Sequence, residues 1–127
     1  MKVLVAEDMD VNWEVISTLL GMYGIKYSRA ENGKEAVEML RNIQSPEYDV
    51  VFMDIQMPVM NGLDATREIR KLDNPYAAGI PIIAMTADAF SENVAECLEA
   101  GMNGHIAKPI DIDNIILELK KIRKSKS

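Results

Sequence analysis

The stretch that decides the fold is Val50-Val51-Phe52-Met53-Asp54-Ile55-Gln56-Met57-Pro58-Val59-Met60-Asn61-Gly62. Its first four residues are an unbroken apolar run, the pattern of a parallel strand buried on both faces. Pro58 and Asn61-Gly62 are turn residues, so the run gives way to a loop. Asp54 therefore stands just past the carboxyl end of a central strand, where open α/β sheets place their ligands. Three other strand ends carry matching chemistry. Val3-Leu4-Val5-Ala6 ends in Glu7-Asp8, Ile82-Ile83-Ala84-Met85 ends in Thr86, and His105-Ile106-Ala107 ends in Lys108-Pro109. Three acids, a hydroxyl and a lysine at four strand ends point to a site for a divalent metal and a phosphoryl group.

Working outward, strand and helix signals alternate five times, the pattern of βαβ units and a parallel sheet. The first strand is Val3 to Ala6. The first helix runs from Val11 to Tyr23 and is ended by Gly24. A weaker second strand, Lys26 to Ala30, belongs at an edge. Asn32-x-x-Glu35 resembles a capping box and opens a helix to about Ile43, with Pro46 beyond its end. Asp49 to Met53 is the third strand and Leu63 to Leu72 the third helix. Asp73 to Gly79 reads as a loop and Ile80 to Met85 as the fourth strand. Ser91 caps a helix to Ala100, Gly104 to Ala107 is the fifth strand, and Asp111 caps the last helix. That helix carries Ile112, Ile115, Ile116, Leu119 and Ile122 at helical spacing.

The 127 residues are expected to form one domain over 1–124, with 125–127 a short basic tail. A chain of this length buries roughly two thirds of its unfolded surface and needs no disulfide or structural metal. A single cysteine, Cys97, excludes an intramolecular disulfide and fits a reducing, cytoplasmic setting. No leader and no apolar run near 18 residues is present, so neither a signal peptide nor membrane contact is expected. A net charge of −6 and a pI near 4.8 argue against direct binding of nucleic acid. Lys120, Lys121, Arg123, Lys124 and Lys126 complement the dipole of the last helix.

At ~100° per residue, Asn12, Val15, Ile16, Leu19 and Tyr23 fall on one face of the first helix. Trp13 lies roughly 100–120° from the centre of that face and is expected to be partly exposed. It is then either an edge-packed aromatic or an anchor for a protein partner.

Taken in order, Glu7-Asp8, Asp54 with Met57-Pro58 and Gly62, Thr86-Ala87 and Lys108-Pro109 resemble the receiver domain of two-component response regulators. The resemblance covers essentially the whole chain. Glu7-Asp8-x-x-x-Asn12, the Asp54–Gly62 run, Pro81 to Ala89 and the extended loop before the fourth strand are similar to receivers of hybrid sensor histidine kinases and phosphorelays. The resemblance implies an α/β, flavodoxin-like fold: a five-stranded parallel sheet in order 2-1-3-4-5 with helices on both faces.

It also implies a role for each residue. Asp54 takes a phosphoryl group from a phosphohistidine and becomes an acyl phosphate. Mg²⁺ (or Mn²⁺) is held by Asp8, Asp54 and the Gln56 carbonyl, with Glu7 acting through water. Lys108, the Thr86 hydroxyl and the Ala87 N–H receive the phosphoryl oxygens. The Lys108-Pro109 bond is expected to be cis, aiming Lys108 inward. Thr86 and His105 form the switch, although His105 stands where the family has Tyr or Phe; it is either a modified switch or a surface histidine. Gln56 and Asp88 flank the pocket and bear on the phosphoryl lifetime. The partner is a histidine kinase or a histidine phosphotransfer domain, docking by Trp13 and the loop at Pro109. The resemblance leaves room for a weak homodimer. The isolated domain is not expected to be an enzyme beyond its own phosphorylation and dephosphorylation, and it can be one part of a hybrid histidine kinase.

Other readings stand beside this one. Asp8 and Asp10 can cap the first helix, Thr86 can close a turn, and a lone lysine is usually a surface residue. A haloacid-dehalogenase-like aspartyl-phosphate hydrolase needs a second Asp two residues after the nucleophile, where this chain has Gln56. A pseudo-receiver that binds without phosphorylation is countered by intact Asp8, Asp54 and Lys108. A flavin module would need a Ser/Thr/Gly-rich loop after the first strand, and none is there.

Overall fold

The computed structural model describes residues 1–86, 93–108 and 110–126, the side chains of residues 93 and 124–126 excepted. Strands and helices alternate: β1 (Lys2–Ala6), α1 (Asp10–Met22), β2 (Lys26–Ala30), α2 (Gly33–Arg41), β3 (Val50–Asp54), α3 (Gly62–Arg70), α4 (Pro75–Ala78), β4 (Ile82–Thr86), α5 (Asn93–Ala100), β5 (Gly104–Ala107) and α6 (Ile112–Lys126). The five strands pair in parallel in the order β2-β1-β3-β4-β5. This is the α/β sheet expected from the alternation, with β2 at one edge.

Successive strand residues point to opposite faces, and each face carries its own core. Val3, Val5, Val50, Phe52, Ile83, Met85 and Ile106 pack against Ile16 and Leu20 of α1 and Ile115, Leu119 and Ile122 of α6. Leu4, Ala6, Val51, Met53, Ile82 and Ala84 pack against α2, α3 and α5 through Val37, Leu40, Ile69 and Cys97. Every residue of β3 and β4 is buried. At about 25 cal/mol per Å² of apolar surface, this two-sided burial is the main favourable term in folding. Burial also pushes the Cys97 thiol up from its ordinary value, so it behaves as a core residue.

The caps behave as their chemistry requires. Asn32 Oδ1 accepts from Glu35 N at 2.8 Å and starts α2; Asp111 Oδ1 accepts from Asn114 N at 3.0 Å at the start of α6. Asn61 Oδ1 accepts from Asp64 N at 2.8 Å, so α3 begins at Gly62, earlier than its apolar pattern suggests.

Four expectations need correction. The segment read as a loop from Asp73 to Gly79 contains the short helix α4, capped by Asn74 Oδ1 on Tyr76 N with Pro75 in its first turn. The buried face of α1 is centred on Ile16 and Leu20; Val15 is 46% and Tyr23 56% exposed, so the face expected from Asn12, Val15, Ile16, Leu19 and Tyr23 is rotated away from the core. Apolar residues cover an arc of about 200° on α1, wider than the face that packs, so the periodicity there did not fix the centre of the buried face. Asp54 and Thr86 are the last residues of β3 and β4 rather than the first beyond them. The helix α6 continues through Lys126, into the segment read as a tail. Ala87, Asp88, the Ser91 cap, Pro109 with its peptide bond, and Ser127 lie outside the described residues.

Candidate functional site

The carboxyl ends of β1, β3, β4 and β5 converge on one spot. Glu7 follows β1 and is fully buried; Asp54 ends β3 at 5% exposure and Thr86 ends β4 at 4%. Strand register brings them together, since Asp54 pairs with Met85, and Thr86 with Ala107, the residue before Lys108. Ligand oxygens of Glu7, Asp8 and Asp54 all lie within 4.8 Å of one another. Asp8 is half-buried at the rim. The alternative that Asp8 and Asp10 serve as helix caps fails: Met9 holds the N-cap position of α1 and no side chain caps it.

Lys108 Nζ is 3.1 Å from Asp54 Oδ2 and 3.5 Å from Glu7 Oε2. Asp54 Oδ1 accepts from Gln56 N at 3.3 Å. Glu7 Oε1 accepts from Met9 N at 3.2 Å and Asn12 Nδ2 at 3.4 Å. Glu7 Oε2 is buried and lacks a hydrogen-bond partner among the described residues. Its 3.5 Å approach to Lys108 is an electrostatic contact without hydrogen-bond geometry. Burial first, and the Asp54 carboxylate second, raise the Glu7 carboxyl above its ordinary value; Met9 N–H, Lys108 and Asn12 pull the other way without cancelling them. Three carboxylates thus face one ammonium, and one buried oxygen has no donor. That donor set, all hard oxygen and short of positive charge, fits a divalent cation.

The mouth of the site is an open groove of about 450 Å³ lined by Asp8, Ile55, Gln56, Met57, Pro58, Asn61 and Leu63. Its floor is fixed by a close backbone approach. Gly62 N donates to the Ile55 carbonyl at 2.9 Å, and a β-carbon on Gly62 would collide with the Asp54 carbonyl. Val59, on the loop beside the groove, has φ 70°, a conformation a β-branched residue rarely takes.

The remaining expected residues divide. Thr86 and Lys108 sit at the acids, and Gln56 beside them with its side chain exposed. His105 is exposed on β5. Trp13 is half-buried against the α1–α6 core, edge-on to Tyr27 (centroids 5.4 Å apart, 75°) and 5.4 Å from the Arg29 guanidinium. Sequence reasoning assigned nothing to Arg29. Asn12 appeared there as part of a motif but without its contact to Glu7.

Residues 3–120 match the model of the response regulator receiver domain. This chain belongs to that family. The receiver domain shares 44% identity over 113 residues with the osmosensing histidine protein kinase SLN1 of Saccharomyces cerevisiae, covering 87% of the chain and 9% of that kinase. It is 40% identical over 112 residues to hybrid signal transduction histidine kinase I of Dictyostelium discoideum, covering 87% of the chain and 6% of that protein. Among solved structures, the receiver domain of sensor histidine kinase PA1611 from Pseudomonas aeruginosa superposes with a TM-score of 0.83 at 36% identity. The match covers 94% of each chain, and that structure has a magnesium ion coordinated in its active site cleft. The receiver domain of the Francisella response regulator 1452 gives 0.85 at 30% identity over 99% of this chain and 98% of its own. The chain is thus a receiver domain of two-component phosphorelay signalling, akin to those of hybrid histidine kinases, and spans less than a tenth of these two kinases. No helix among the described residues is long and apolar enough to cross a membrane.

Proposed function

We propose that this receiver accepts a phosphoryl group on Asp54 from a phosphohistidine, with Mg²⁺ held by the acids. The observation that carries the reading is the Asp54 carboxylate itself: 5% exposed at the carboxyl end of a central strand, tied to Lys108 at 3.1 Å and grouped with Glu7 and Asp8. Asp8, Asp54 and the Gln56 carbonyl would hold the ion, with Glu7 acting through water. A bound dication supplies charge neutralisation where a carboxylate must meet a phosphoryl anion.

In the transfer, a new bond forms between an Asp54 carboxylate oxygen and phosphorus. The bond from the donor's imidazole nitrogen to phosphorus breaks, and its electron pair returns to that nitrogen. Before transfer, Lys108 holds Asp54 Oδ2; afterwards its ammonium pairs with a phosphoryl oxygen as a point charge. Thr86, at the end of β4, donates its hydroxyl to another oxygen and draws its strand end toward the phosphoryl group. This is the start of the conformational switch, with His105 two strand positions from Ala107 on the neighbouring strand. The backbone N–H of Ala87 is assigned to a third phosphoryl contact.

The donor is a histidine kinase or a histidine phosphotransfer domain that lands over the β1–α1 loop and α1. Met9 (55%), Val11 (69%) and Val15 (46%) expose apolar surface there. A cleft lined by Asn12, Val15, Lys108 and Ile110 joins α1 to the segment after β5. Trp13 contributes its exposed edge, and Pro109 is assigned a second contact with the partner.

The test is transfer from a purified phosphotransfer domain labelled on its histidine. Label should pass to the native chain within minutes, and Asp54→Asn should take up none while leaving the donor loaded. Label on the Asn variant would refute Asp54 as the acceptor.

A further inference from the structure

We propose that Arg29 is a positioning residue for the acidic site, clamping the β1–α1 loop that presents Glu7 and Asp8; the inference rests on the metal reading above. Arg29 lies on the edge strand β2, paired with Val5 of β1, and its side chain is only 17% exposed. Its Nε donates to the main-chain carbonyl of Glu7 at 3.1 Å. Its Nη1 reaches Asp10 Oδ1 at 3.0 Å and Glu31 Oε1 at 4.0 Å. Its guanidinium carbon lies 5.4 Å from the ring centroid of Trp13, which Tyr27 braces edge-on.

One planar fork therefore holds the residue that enters the loop and the first turn of the helix that leaves it. Only Asp8 and Met9 lie between. The Glu7 amide is itself bonded to the Ala30 carbonyl at 3.0 Å, so β2 grips Glu7 from both sides of its backbone. The Asp10 contact alone is an exposed pair of small value. Its importance lies in sharing a rigid guanidinium with the Glu7 carbonyl and the Trp13 ring, an arrangement that lysine cannot reproduce.

The electrostatics make this role testable by sign. A positive charge near a cation site repels the cation, so deleting it for Coulomb reasons alone strengthens Mg²⁺ binding. Deleting a clamp does the opposite, because the acids lose their fixed spacing. Mg²⁺ is titrated calorimetrically into the native chain, Arg29→Met and Arg29→Lys, at a temperature where all three are folded. Hydrogen exchange of the backbone amides is followed in parallel.

Both variants should bind Mg²⁺ roughly 3- to 10-fold more weakly, at or below the low end of the roughly 10- to 100-fold loss typical of outer-sphere partners, because Arg29 acts on the loop backbone and not on a ligand side chain. Both should exchange faster at residues 7–10, with β3 and β4 unchanged. Arg29→Lys keeps the charge and decides the matter if Arg29→Met does not fold. Unchanged or tighter Mg²⁺ binding in Arg29→Met, or native binding in Arg29→Lys, overturns the proposal. If the native chain binds no Mg²⁺, the metal reading is what fails; the exchange rates at residues 7–10 then decide the clamp, and unchanged rates overturn it.

Discussion

At Glu7, burial and the Asp54 carboxylate push the folded carboxyl above the 4.5 of the unfolded chain. Between those two values the folded state keeps a proton that the unfolded state has lost. The metal-free domain therefore loses stability as pH rises through that window, and stays less stable above it. Glu7→Gln removes the titration, so in chelator it should resist urea better than the native chain at neutral pH and show a flatter pH dependence from 4.5 upward. Parallel pH profiles would show that Glu7 carries no such penalty. Val59 offers a second test. At φ 70° and 77% exposed, its side chain costs backbone strain and contributes little packing. Val59→Asn should stabilise the domain by about 1 kcal/mol in urea unfolding, since Asn tolerates the left-handed region; a loss of stability would mean the strain is absent. At this scale the sequence was informative about identity and silent about contacts. Apolar strands ending in acid, hydroxyl or lysine announced Glu7, Asp8, Asp54, Thr86 and Lys108. Nothing near Arg29 in sequence signals that it reaches the Glu7 carbonyl, because that contact depends on the pairing of β1 with β2.

Among the elements, the buried strands were the most legible, because a strand covered on both faces is a continuous apolar run. Helix α4 was hidden: four residues are too few for a periodicity, and Asn74, Pro75 and Gly79 are also turn formers. Its placement depends on two polar side chains whose roles no local pattern reveals. Asn74 Nδ2 donates to the Ile43 carbonyl at 2.7 Å, beyond the end of α2. Arg70 donates to the carbonyls of Gly101 (3.0 and 2.8 Å), Ala78 (2.9 Å) and Ile80 (2.6 Å), and to Asn103 Oδ1 (2.9 Å). It ties α3 to the ends of α4 and α5 and the start of β4, with no carboxylate in ion-pair range among the described residues. Burial lowers its affinity for the proton somewhat, yet a guanidinium stays charged. Arg70→Met strands those carbonyls and should cost about 2–4 kcal/mol in urea unfolding. A cost under about 0.5 kcal/mol, the range of ordinary surface substitutions, would show the network to be dispensable.

For the whole molecule, alternation gave the α/β class, and only the resemblance gave the strand order, since alternating units fit several orders. What the fold achieves is the gathering of like charges at the carboxyl end of the sheet, which a bound dication should relieve. A ligand at ten times its Kd stabilises by about 1.4 kcal/mol, so Mg²⁺ should raise the melting temperature by a few degrees. Asp8→Asn should blunt that rise; a melting curve indifferent to millimolar Mg²⁺ would contradict the acid cluster as its site. The central claim is that Asp54 in this acidic site is a phosphoacceptor, and it is tested most directly by intact mass after incubation with acetyl phosphate, with and without Mg²⁺. The account predicts one added phosphoryl group on the native chain, requiring Mg²⁺ and absent from Asp54→Asn. An adduct that forms on Asp54→Asn, or that forms equally in chelator, would contradict it.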